Sequence, residues 1–245
     1  MDDITAHLLE SGDLVRAVLK PQKDSYRPIP RYAWRGCTPL ELASTIKETG
    51  YLSHGTAMFL HGLTEQVPRT FYVNKEQTPK PAPSGALVQA NIDRAFKAKQ
   101  RASKYIFGYA GSRFVLLSGK NTRDHGVETM VGPSGEPQRV TNLERTLIDI
   151  AVRPAYSGGL VEVLGAYEAA RGSLSVERLV RSLEYVNHFY PYHQAIGFLM
   201  ERAGFDTESL RPLKALGTEH DFYLMHGMKA PRHNPSWRVF YPDGF

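Results

Sequence analysis

The chain has 245 residues, is 42% hydrophobic and 22% charged, and carries a net charge of +5, an ordinary composition for a soluble globular protein with a sizeable core. Cys37 is the only cysteine, which excludes an intrachain disulfide and any cysteine-rich zinc site. No apolar run approaches the roughly 20 residues of a membrane-spanning helix, and the acidic, amphipathic start differs from a secretory leader, so a reducing cytoplasm is the expected location.

The charge is unevenly spread. Residues 1–50 balance, with seven Lys/Arg against seven Asp/Glu. Residues 75–123 hold ten basic against two acidic residues, whereas 124–210 hold seven against twelve. The middle of the chain is therefore a candidate surface for an anionic partner, and the stretch after it is acidic.

In chain order, "DITAHLLES" (3–11) reads as a short helix ended by Gly12. "LVRAVLK" (14–20) and "YRPIPRYAWR" (26–35) read as extended segments, the second confined by Pro28 and Pro30 to an edge or irregular strand. Thr38-Pro39 opens a helix through about Lys47, with Glu41 completing a capping box. In "YLSHGTAMFLHGL" (51–63), Ser53 is the expected N-cap, His54 a polar first-turn residue, His61 a last-turn residue and Gly62 a left-handed stop. The strand "TFYV" follows, then a polar, Pro-rich loop at 74–85. Strands are expected at "ALVQA" (86–90), "YIF" (105–107), "RFVLL" (113–117) and "VETMV" (127–131). From Thr141 the apolar period becomes helical, and Thr141 with Glu144 reads as a second capping box. Helices are expected at 158–172, 175–186, 192–204 and 208–217, then a last strand, "SWRVFY".

Motifs for chemistry are thin. There is no His-Glu-x-x-His, no Walker-type loop and no G-x-G-x-x-G. His188 and His193 flank Pro191 and do not share a helix face; Glu219, His220, Asp221 and His226 lie close in sequence, but read first as polar surface. Gly132-Pro133-Ser134-Gly135 is one residue short of a nucleophile elbow. No acidic residue is followed at i+2 by lysine, against a restriction-type nuclease, and no Asp-x-Asp pair exists for a nucleotidyltransferase. No catalytic residue, metal ligand or cofactor is therefore assigned, and a metal-dependent nuclease is a remote alternative.

"YLSHGTAMFLHGLTEQVPRTFYV" (51–73) resembles the signature of the AbiEi antitoxin family of bacterial type IV toxin–antitoxin and abortive-infection systems. "VTNLERTLIDIAVRPAYSGGLVEVLGAYEAA" (140–170), "HQAIGFLMERAGF" (193–205) and "SWRVFYPDG" are similar to later blocks of that family, so the resemblance spans roughly 38–245. It implies a non-enzymatic DNA-binding autorepressor that binds inverted repeats at its own promoter through an N-terminal winged helix-turn-helix. It also implies a functional partner, a nucleotidyltransferase-like toxin, counteracted without a stable complex.

The expected fold class is α+β, with a partial winged-helix-like unit at 1–37, then a mixed sheet and a C-terminal helical layer over 38–245. Residues 3–11 correspond to the third helix of a winged helix and 14–35 to its wing. The first two helices would lie upstream of Met1, through a start placed too far downstream, a degenerate domain, or helices supplied by a partner. The helix at 3–11 has no Lys or Arg, and Asp2, Asp3 and Glu10 lie in or beside it, so phosphate contacts fall to other residues. The candidates are Arg16, Lys20, Lys23, Arg27 and Arg31 of the wing, and Arg94, Lys97, Lys99, Arg101 and Lys104. A protein-interaction module acting through the acidic helical layer, 143–210, without DNA binding, is the alternative.

Overall fold

The computed structural model describes residues 3–81 and 85–245. Helix α1 (Asp3–Ser11) leads into strands β1 (Leu14–Pro21) and β2 (Ile29–Trp34). Helix α2 (Pro39–Thr45), strand β3 (Tyr51–Leu52), helix α3 (His54–Leu60) and strand β4 (Thr70–Asn74) follow. Next come α4 (Gln89–Lys97), β5 (Ile106–Tyr109), β6 (Ser112–Leu117), β7 (Val127–Val131) and β8 (Pro137–Thr141). The remainder is α5 (Leu143–Val152), α6 (Leu160–Ala170), α7 (Val176–Val186), α8 (Tyr192–Arg202) and α9 (Thr207–Lys214), then β9 (Phe222–Tyr223), β10 (Arg232–Asn234) and β11 (Val239–Tyr241). The architecture is α+β: a mixed eight-stranded sheet in the order β2-β1-β5-β6-β4-β3-β8-β7, a helical layer, and a small sheet in the order β10-β11-β9.

Register fixes which side chains share a face. Pro21, Phe107, Phe114 and Phe71 are aligned across β1, β5, β6 and β4, and Leu52 stands beside Val73 and Val140. With Ala17 and Leu19 they form one apolar face, packed against Leu40, Leu42, Ala43 and Ile46 of α2 or its C-cap. The capping box expected at α2 is present: Glu41 N donates to Thr38 Oγ1 at 3.2 Å and Thr38 N to Glu41 Oε2 at 2.5 Å. β2 is the edge strand that its prolines require. The opposite face, at β4 and β3, carries Tyr72, Asn74 and Tyr51. The second core lies within the helical layer, where Leu147, Ile148, Tyr167, Ile196, Leu199 and Trp237 are buried.

Several expectations are corrected. "ALVQA" is not a strand: Gln89 starts α4, which buries Ile92 and Phe96, four apart on one helical face. Strand β8 was missed, because Thr141 reads locally as a helix cap. In the structure Thr141 ends β8 and the cap is Asn142, whose side chain accepts from Arg145 N at 2.9 Å. Glu144 is buried and accepts from Arg178 Nη2 at 2.7 Å, so its carboxylate is not in a capping box. "SWRVFY" is extended only at Val239–Tyr241. The short β3, β9 and β10 have no sequence signal. Within the expected loop at 74–85, residues 75–81 form neither helix nor strand, and 82–84, like Met1 and Asp2 of the N-terminal reading, lie outside the described residues.

Trp237 sets a close approach in the helical layer. A Cβ built on Gly197 of α8 would lie 2.2 Å from its ring, and Gln194 Nε2 donates to its carbonyl at 2.7 Å. Gly165 of α6 faces open space. Gly197→Ala is therefore expected to destabilise by about 1–3 kcal/mol through overpacking, and Gly165→Ala to stabilise by about 1 kcal/mol through helix propensity. Urea unfolding of the two variants checks this opposition of sign.

Candidate nucleic-acid interface

The hairpin β1–β2 has two unlike faces. Leu19, Ala17, Arg31 and Ile29 point towards α2, while Arg16, Val18 and Lys20 share the other face with Pro30, Tyr32 and Trp34. Arg16 stands opposite Tyr32, and Trp34 is 61% exposed. Lys23 and Arg27 are exposed in the connecting loop. Arg31 does not join these cations. It is only half-exposed, and its guanidinium donates to Thr45 O at 3.1 Å, Ile46 O at 2.7 Å and Pro30 O at 2.7 Å. It thus satisfies carbonyls at the C-terminal end of α2, a structural use that the chain position alone does not reveal.

The second basic set divides. Arg94 and Lys97 are exposed in the last turn of α4, where positive charge suits the helix dipole, and Arg94 Nη2 donates to Asn91 Oδ1 at 2.7 Å. Lys99, Arg101 and Lys104 are exposed on the irregular chain between α4 and β5. The end of this segment meets the hairpin loop: Tyr26 and Tyr105 have ring centroids 4.6 Å apart, and Gln22 N donates to Ile106 O at 2.8 Å. Two cation sets more than sixty residues apart in sequence are thereby joined at Lys104. Sequence reading missed Arg113, exposed on β6 and aligned with Gly108, which is itself aligned with Lys20. The alternation of "SRFVLL" puts Arg113 outward, but only the sheet order shows its neighbours.

His54 and His61 serve the fold. Ser53 holds the N-cap position of α3, yet its hydroxyl bonds the His54 ring at 2.9 Å instead of a helix N–H. His54 opens the first turn of α3, as expected, and is buried there; it takes a left-handed φ of 52° that is uncommon outside glycine. Its ring lies edge-on to Tyr156. His61 Nε2 donates to Thr141 O at 2.6 Å, and Gly62 is the left-handed stop. Below them Arg145 Nε pairs with Asp149 Oδ1 at 2.9 Å, and its Nη1 donates to His125 O at 2.9 Å and Thr122 Oγ1 at 3.2 Å. Thr122 N donates to Glu76 Oε2 at 2.7 Å, and its hydroxyl donates to Glu76 Oε1. Burial alone would raise the Glu76 carboxyl; the Thr122 hydrogen bonds and the Arg145 charge bring it below its usual range.

Elsewhere the titratable groups are dispersed. His188 and His193 diverge: His193 Nε2 donates to Gly217 O at 2.7 Å, while His188 packs edge-on to Tyr192. Asp221 accepts from His233 and Arg238, and His226 Nδ1 donates to Ala95 O. Among the described residues, no three His, Cys, Asp or Glu side chains are grouped to hold a metal ion. No helix among them is long and apolar enough to cross a membrane.

No protein-family model matches the chain, and no curated protein matches it significantly. Among solved structures, the RV2827C protein from Mycobacterium tuberculosis matches with a TM-score of 0.50 at 17% identity, over 81% of this chain. The chain spans 64% of the length of that protein, and at this identity the likeness concerns the fold alone.

The buried His54 imidazole and the half-buried His188 are expected to make the fold acid-sensitive. Burial lowers the pKa of His54 and of His188 from about 6.5 to about 4; Asp149 opposes the shift in both. The unfolded chain takes up these protons near pH 6.5 and the folded chain only near pH 4, so stability falls as pH drops through that window. For His54 the loss reaches about 3 kcal/mol at pH 4. His188 Nε2 is buried without a hydrogen-bond partner, so His188→Phe loses no bond there. Urea unfolding at pH 7, 5.5 and 4.5 is expected to show a shallower acid decline for that variant, with stability at pH 7 close to wild type.

Proposed function

We propose that this protein is an AbiEi-like antitoxin and DNA-binding autorepressor, opposing a nucleotidyltransferase-like toxin without a stable complex. The observation that carries the reading is the N-terminal unit: a short helix followed at once by an antiparallel hairpin, as the last helix and wing of a winged helix would be. Exposed Arg16, Lys20, Lys23 and Arg27 lie on this hairpin, and Lys104 adjoins its loop through the Tyr26–Tyr105 contact. The blocks on which the family resemblance rests fit a non-enzymatic role, since their polar residues support packing: His61 bonds Thr141, and Arg145 bonds Asp149.

One observation favours a protein-interaction role beside or instead of DNA binding. Helix α1 buries none of its residues, and Ile4 is 73% exposed, so its apolar edge suits a protein partner.

A mobility-shift assay with the DNA upstream of the gene separates the two. Binding at micromolar protein or below, poorly competed by random DNA, supports the repressor; salt-labile, unspecific binding supports the interaction module. For a repressor, Lys23→Glu with Arg27→Glu is expected to weaken binding at least tenfold and to flatten its dependence on salt by about two in log–log slope. Arg94→Glu with Lys97→Glu, on α4, is expected to have the smaller effect.

A further inference from the structure

The two faces of the large sheet are covered unequally. Its apolar face is packed against α2, whereas on the other face the aromatic and polar residues of β4 and β3, such as Tyr72 and Tyr51, are in contact with the helical layer or its buried network. Towards β6, β5 and β1 that same face carries exposed Arg113, half-exposed Gly108 and exposed Lys20. Lys20, Gly108, Arg113 and Thr70 are register neighbours, one from each of four adjacent strands. At about 4.8 Å per strand, the backbones of Lys20 and Arg113 stand about 10 Å apart. Gly108 between them has no side chain, leaving an open hollow of about 540 Å³. Its rim is the β5–β6 turn, held by left-handed Ala110 (φ 46°) and Gly111 (φ 77°).

Beyond Thr70 a second open hollow, about 400 Å³, is lined by Arg69, Tyr72, Ser157 and Glu162 among others. Arg69 is exposed, and its carbonyl accepts from Arg113 N at 2.8 Å. Glu162 at the far side accepts from Gln66 Nε2 at 2.9 Å and, among the described residues, is the one carboxylate lining the two hollows. The shape is a long, shallow run of cations and not an enclosed pocket, which suits an extended polyanion better than a small ligand.

We infer that this open half-face is a second DNA-backbone track, in which Lys20, Arg113 and Arg69 contact phosphates of duplex flanking the segment met by the helix and hairpin. The inference rests on the DNA-binding reading and extends it from the N-terminal unit onto the body of the sheet. Lys20 belongs to both surfaces, so the track is continuous with the hairpin. Charge complementarity selects the occupant, and Glu162 sets the far end by repelling phosphate.

The test is fluorescence anisotropy of the full chain on promoter fragments of decreasing length, from 50 to 300 mM KCl. On long fragments, Arg113→Ala and Arg69→Ala are each expected to weaken binding three- to tenfold and to lower the salt slope by about one. Arg113→Lys restores most of that loss, and Glu162→Gln tightens binding. On a fragment trimmed to the segment protected by the N-terminal unit, the Arg113 and Arg69 variants bind like wild type, because the flanking phosphates are gone. Wild-type affinity and slope for both alanine variants on long DNA, with the wild type binding normally, would overturn the track alone. Loss of equal size on long and trimmed DNA would overturn its placement on flanking duplex. Failure of the wild type to bind any promoter fragment would overturn the DNA-binding reading and the track together.

Discussion

The guanidinium of Arg145 holds the two halves of the molecule in register. It sits in the first turn of α5, is buried, and is met by Asp149 one turn on, by the His125 carbonyl and by Thr122. Thr122 is bound in turn by Glu76, and Glu76 accepts from Tyr51 Oη at 3.3 Å. Taking a cation out of water costs several kcal/mol, recovered only where charge and hydrogen-bond partners are complete. Here Asp149 leads the groups that raise the Arg145 pKa against the opposing effect of burial, so the side chain stays charged. The polar chain runs from α5 through the 122–125 loop to the ends of β3 and β4, and fixes where the helical layer meets the sheet. His61 reinforces the same junction from α3 through the carbonyl of Thr141.

Two consequences follow from that junction. The packing of α5 against α3, α6, α7 and α8 makes it the hub of the helical layer, so anchoring α5 anchors the layer. The layer meets the sheet at β4, through α3, and at β8, through α5, while β1 and β6 keep exposed cations on the corresponding face, Lys20 and Arg113. Charge follows the same division, with the basic excess in residues 75–123 and the acidic excess in 124–210. A polyanion approaching the uncovered strands therefore meets attraction there and repulsion from the layer, which orients it before any specific contact forms.

Local patterns carried much of this into the sequence. The capping box at Thr38 and Glu41, the proline-confined edge strand, Gly62 as a stop and the amphipathic helices after residue 158 are all short-range effects, and all are present. The failures occur where a distant partner decides the outcome. Thr141 extends β8 because β7 pairs with it, and Glu144 leaves the cap because Arg178 lies thirty-four residues on. Gln89 bonds Asp93 and the Asp221 backbone, which favours a helix where alternation suggested a strand. Arg31 looked like any wing cation until the end of α2 was placed beside it. Arg113 was invisible as an interface residue for the same reason, since its significance is a register across four strands.

On the DNA-binding reading, these charges separate affinity from selectivity. Helix α1 is exposed, has Asp3, His7 and Glu10 among its polar groups, and has no lysine or arginine. Beside phosphates its carboxylates are unfavourable, so the helix contributes little to non-specific attraction. In a major groove, however, carboxylates accept hydrogen bonds from cytosine amino groups, and they penalise positions that offer only acceptors. Binding strength then comes from the hairpin, the 99–104 segment and the uncovered sheet, and the helix acts chiefly by rejecting wrong sequences. Such a division keeps random DNA weakly held while a correct site gains both components, which is the ratio that a repressor acting among many competing sites requires.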